Sequence, residues 1–109
     1  MTTFDDRERA FESKYAHDAE MQFKAEARRN RLLGLWAADR LGLKGDEAAA
    51  YAKAVVIADL KEAGDEDVYR KVKADFDAKG IAITEAELRQ RMADLRVEAK
   101  HQVMSETQD

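Results

Sequence analysis

Apolar residues recur along this chain at helical spacing. Leu88, Met92, Leu95, Ala99 and Val103 fall at i, i+4, i+7, i+11 and i+15, one stripe of a helix. Val68, Val72 and Phe76 draw a second stripe. Tyr51, Val55 and Ala58 draw a third, widened by Val56 and Leu60. The stretch from Asp18 to Leu41 is the richest, with Phe23, Ala27, Leu32, Leu33, Leu35, Trp36, Ala37 and Leu41. Its C-terminal half is apolar on several sides, which predicts a central place among the other helices.

Punctuation agrees with the stripes. The first pattern ends at Gly42, where a glycine suits a left-handed C-terminal cap. Asp46, after Gly45, reads as the N-cap of a second helix that stops before Gly64. Asp65 reads as the N-cap of a third, which stops at Gly80. Thr84-Glu85-Ala86-Glu87 is a capping box that opens the fourth. Ile81-Ala82-Ile83 is too short for a sheet and reads as a loop packed on the core. Short connections favour antiparallel neighbours, so the expected fold is all-α, a small four-helix bundle over residues 18–109.

Residues 1–17 form a separate arm. Thr3 caps Phe4-Asp5-Asp6, and Phe4, Phe11 and Tyr15 recur at i, i+7 and i+11, an aromatic stripe on a thin, charge-rich helix. An isolated helix of this length is marginal in water. The arm is therefore expected to be mobile when free and to become helical when a groove receives its aromatic face.

Composition narrows the function. Acidic and basic residues, 23 and 19, are mixed along the chain and leave a net charge of −4, so nucleic acid is not an expected partner. Without cysteine there is no disulfide, zinc-thiolate or thiol chemistry. No apolar run is long enough to span a bilayer, and the N-terminus lacks a signal-peptide pattern. The chain is expected to stay in the compartment where it is made. No heptad seam extends beyond the bundle, which favours a monomer.

Catalytic motifs are missing. Gly42-Leu43-Lys44-Gly45 lacks phosphate-loop spacing and reads as a turn. Glu98 and His101 match one Glu-x-x-His pair, but a di-iron bundle needs two of them and further glutamates. His17 titrates near neutrality at the junction of arm and bundle and reads as an exposed or capping residue. Trp36 is expected in the core. Glu66 and Asp67, with Asp65, suit the start of a helix and lack the calcium-loop pattern. Arg28, Arg29 and Arg31 form a basic cluster with Glu20 and Glu26 nearby, a solvated or ion-paired face in the plain reading. The alternative is a phosphate or nucleotide contact, with Phe23 or Tyr51 stacking a base and weak ATP or ADP binding. With no nucleophile–base set and no metal cage, the chain reads as a binder and not an enzyme, with no cofactor.

The run from Phe4 to Glu12, the run from Phe23 to Ala38 and the block from Tyr51 to Val68 resemble, in the same order, the zeta subunits of alphaproteobacterial F-type ATP synthases. The similarity covers nearly the whole chain and is least distinctive in the final helix. The resemblance implies a four-helix bundle whose N-terminal segment inserts into the catalytic head between alpha and beta subunits, beside the gamma stalk. There it blocks rotation in the ATP-hydrolysing direction. Phe4, Phe11 and Tyr15 would anchor it, and Asp5, Arg7, Glu8 and Arg9 would set polar register. The resemblance also implies a cytoplasmic protein, peripheral to the inner membrane through the ATP synthase. The rival readings are a nucleotide-responsive or assembly module of the same complex, with weak or no inhibition.

Overall fold

The computed structural model describes residues 19–59 and 65–107. The arm over residues 1–17, with His17, lies outside the described residues, as do Leu60 and Gly64. Among the described residues four helices follow in order: α1 (Ala19–Arg40), α2 (Asp46–Asp59), α3 (Glu66–Ala78) and α4 (Glu85–Thr107). Among the described residues there is no strand. Helix α1 touches each of the other three and packs most extensively on α2 and α4, the central place its apolar spread predicts.

Two helix ends close in the same way. Leu43 N–H donates to Ala38 O at 2.9 Å and Gly42 N–H to Asp39 O at 3.2 Å. At the end of α3, Ile81 N–H donates to Phe76 O at 2.9 Å and Gly80 N–H to Asp77 O at 3.0 Å. This paired closure satisfies orphan carbonyls and needs a left-handed residue. Gly42 at φ 82° and Gly80 at φ 73° supply it. The residues that follow, Leu43, Ile81 and Ile83, pack on the main core, so the short Ile-Ala-Ile loop does what its sequence predicts.

The helix starts differ from expectation in two places. Asp46 is the first residue of α2, not its cap; Ala49 N–H is satisfied by the Gly45 carbonyl at 3.1 Å. Asp65 does sit at the N-cap of α3, yet its side chain makes no capping bond, because two arginines occupy it. Half of the expected box forms at α4: Glu87 N–H donates to Thr84 Oγ1 at 3.1 Å, but the Glu87 carboxylate accepts from the Thr84 hydroxyl at 3.2 Å and not from its backbone N–H.

The main core joins Leu33 and Ala37 of α1, and Leu41 in the turn just after it, to Val55 of α2, to Val68, Val72 and Phe76 of α3, and to Leu88, Met92 and Leu95 of α4. A smaller cluster joins Met21 and Ala25 to Val103 and Met104, which makes α1 and α4 antiparallel. The stripes of α3 and α4 are buried as their spacing predicts. In α1 the core face is rotated from the expected one: Phe23 is 63% exposed and Leu35 39% exposed. The buried face runs instead through Met21, Ala25, Arg29, Asn30, Leu33, Gly34, Ala37 and Ala38. Small residues win this face because they let helix backbones approach. A Cβ built on Gly34 would lie 2.5 Å from Ala52 Cα.

Candidate functional site

The residues expected to bind a partner, Phe4, Asp5, Arg7, Glu8, Arg9, Phe11 and Tyr15, fall outside the described residues. What the structure shows is the end of the bundle that carries them, where α1 begins at Ala19. Lys24 there pairs with Glu20 at 3.4 Å on the surface. The small core cluster of Met21, Ala25, Val103 and Met104 fixes this end of α1 against the last turns of α4. Arg28 adds a polar clasp, donating to Gln102 Oε1 at 2.8 Å and to both Glu106 oxygens at 2.7 and 2.9 Å.

The three arginines of α1 are not gathered into one anion site. Arg28 is held by Glu106, Arg29 points into the interior and Arg31 is exposed. A phosphate at the first two would have to displace Glu106 from Arg28 and Asp65 from Arg29. Nor do the two candidate stacking rings join them. Phe23 is exposed on α1, and the Tyr51 hydroxyl donates to Asp75 Oδ2 at 2.7 Å. Lys71 also reaches Asp75, at 3.2 Å, and lies 5.1 Å from the Tyr51 ring centroid. Burial, and then the bond to Asp75, push the Tyr51 phenol well above its ordinary range, so it stays a proton donor. Tyr51 therefore fastens α2 to α3.

Arg29 is the buried polar centre of the bundle, at 0% exposure. Its Nε donates to Asn30 Oδ1 at 2.6 Å and its Nη2 to Asp65 Oδ1 at 2.9 Å. Arg96 of α4 donates to the same Asp65 oxygen at 2.8 Å. One carboxylate at the start of α3 thus ties α1 to α4. Burial of Asp65 works against its charge, but the bonds and charges of Arg29 and Arg96 hold its carboxyl below the usual range. Sequence reading missed this group, because the partners lie far apart in the chain and an arginine in a charged run carries no mark of burial.

Beside it, Glu26 is pushed the other way. Burial is the first cause and the Asp59 charge the second; Arg96 and Arg29 oppose them, and Asp65 adds to the rise. Glu26, Asp59 and Asn30 line a cleft between α1 and α2 with Phe23, Ala27 and Val56.

Two other expectations can be placed. Trp36 is partly buried against the core; its ring centre is 5.8 Å from that of Phe76, and Arg40 and Arg91 each stand 5.3 Å from its centroid. A shallow groove of about 490 Å³ runs beside it under the Ile81–Ile83 loop. Glu98 and His101 lie on the exposed side of α4. Among the described residues no group of three or more acidic or histidine side chains could hold a metal ion.

The sequence pattern of the family described as ATPase inhibitor subunit zeta matches residues 1–102. A protein whose structure was solved by solution NMR is 58% identical and superposes with a TM-score of 0.70, over 79% of this chain and 98% of that one. No curated protein matches the chain.

Proposed function

We propose a function from one premise: the chain belongs to the ATPase inhibitor subunit zeta family. It is an inhibitor of ATP hydrolysis by the F-type ATP synthase, and it works by binding. Residues 1–17 insert at an interface between alpha and beta subunits of the catalytic head, beside the gamma stalk, and block rotation in the hydrolysis direction. Phe4, Phe11 and Tyr15 are the anchors, since buried aromatics dominate most interfaces. Asp5, Arg7, Glu8 and Arg9 set the register. Ordering the arm opposes binding by several kcal/mol, as in other coupled folding. Closure of the catalytic interface around the arm offsets that. Rotation in the synthesis direction opens the interface and releases it, so inhibition is one-way.

One observation carries this reading. The family match takes in residues 1–17 together with the bundle, and among the described residues both core clusters close between Met21 and Met104. That pairing suits a bundle that folds by itself and an N-terminal segment that meets a partner. No helix among the described residues is long and apolar enough to cross a membrane, which suits a subunit held at the membrane through its complex.

The test is ATP hydrolysis by the purified catalytic head, with full-length chain or with a chain lacking residues 1–17. Hydrolysis should fall with the full-length chain and stay at its starting rate with the shortened one. Equal inhibition by both would overturn the reading.

A further inference from the structure

The cleft between α1 and α2 encloses about 140 Å³ and is lined by Phe23, Glu26, Ala27, Asn30, Val56 and Asp59. Its polar atoms are left incomplete by the fold. Asn30 is 1% exposed, and its Oδ1 is taken by Arg29 Nε. Its Nδ2 has no hydrogen-bond partner among the described residues, and neither has the buried Asp59 Oδ1. Buried amides and carboxylates are almost always satisfied, so two orphans in one cleft call for a missing group.

The charges point to the sign of that group. Glu26 and Asp59 form no ion pair among the described residues. The cations near them, Arg29 and Arg96, both engage Asp65 Oδ1 instead; the buried Arg29 Nη1 also has no hydrogen-bond partner among the described residues, but Arg29 does not line the cleft. Glu26 on α1 thus faces Asp59 from α2, Asp65 from the start of α3, and Arg96 from α4, with Arg29 on its own helix. Burial and Asp59 outweigh the arginines there and disfavour the Glu26 charge. A positive charge placed between Glu26 and Asp59 would relieve both. The walls add a second requirement: Ala27 and Val56 suit an aliphatic stem, and the 63%-exposed Phe23 ring stands at the rim as a face for a cation.

We propose that this cleft is a docking site for a basic side chain, arginine or lysine, presented by a protein partner. The stem lies along Ala27 and Val56, and the charged head meets Glu26 and Asp59 under Phe23. A carbonyl of the same segment is the acceptor that Asn30 Nδ2 lacks. The cleft opens on the first half of α1, within a few residues of where the arm joins. The inference rests on the cleft alone and does not depend on how the arm acts.

The full-length chain, labelled with 15N and 13C, can be titrated at low salt with N-acetyl-arginine methylamide. The citrulline analogue, equal in shape but uncharged, is the control. The Asn30 side-chain amide and the Phe23 ring signals should shift and saturate with the arginine compound. They should respond about tenfold more weakly to citrulline. Glu26→Gln, an isosteric change that keeps the fold, should weaken arginine binding several-fold, and Glu26→Gln with Asp59→Asn should abolish it, while signals from Val72 and Leu88 in the core stay in place. The proposal is overturned if citrulline binds as well as arginine, or if both carboxylate variants bind unchanged. It is overturned too if the cleft signals do not move, which would leave a buried water as the group that joins Asn30 to Asp59.

Discussion

Arg29 shows how far a residue's meaning depends on what surrounds it. An arginine with no exposure is stable only with its charge matched, and Asp65 supplies the match at 2.9 Å. Asp65 itself is 39% exposed at the side chain, so water moderates the pair from one side. Removing the carboxylate is worse than weakening it, because a buried guanidinium is left uncompensated. Asp65→Ala should therefore lower stability by about 2–3 kcal/mol in urea unfolding. Its midpoint should fall with little change in slope. The two perturbed carboxyls also pull the pH profile in opposite directions. Asp65 has a lowered folded pKa, so its stabilisation is present above the ordinary carboxylate range and lost as pH falls through its folded value. Glu26 has a raised folded pKa, so it favours the folded state at acid pH and loses that contribution as pH rises through its folded value. Glu26→Gln should thus raise stability at pH 7 and leave it nearly unchanged below the ordinary carboxylate range. Denaturant midpoints across pH 3–8 check this, and a variant less stable at pH 7 would contradict it.

Among the elements, α1 organises the rest. Its buried face is made of alanine, glycine, one arginine and one asparagine as much as of leucine, which is why its backbone can lie close to α2. Gly34 sits at that approach, and the atom facing it is backbone, Ala52 Cα, which cannot swing away. In an open helix Gly→Ala gains about 1 kcal/mol from propensity. Here the contact reverses the sign, and Gly34→Ala should destabilise by about 1–3 kcal/mol, a typical range for overpacking. A thermal melt distinguishes the two, since a rise in Tm would mean that α1 and α2 separate easily. The predicted stripes of α3 and α4 were legible because one face of each is apolar and the other is charged. That of α1 was misread at Phe23 and Leu35, because a helix apolar on several sides gives no phase from hydrophobicity alone.

At the scale of the whole molecule, the proposed function assigns folding and binding to different parts of the chain. Among the described residues both core clusters close between Met21 and Met104, so removing residues 1–17 should leave the urea midpoint and the Tm within error of the full-length values. Circular dichroism melts of the two proteins check it. A marked loss of stability would mean that the arm packs on the bundle. The same division explains why the bundle can present Phe23 and the Glu26–Asp59 cleft outward: the core closes without them.

The sequence by itself determined the four helices of the described residues, the glycine closures at Gly42 and Gly80, the Thr84 cap and the faces of α3 and α4. These are local matters of spacing and backbone conformation, decided within a few residues. Family membership was also legible there, since matching runs of residues need no coordinates. Only the tertiary structure decided which side of α1 is buried, that Asp65 serves two arginines and not its own helix start, and that Asn30 and Asp59 share a cleft. Those outcomes depend on side chains from three or four helices competing for the same atoms. Burial and electrostatics settle that competition in space, between residues that the chain order keeps apart.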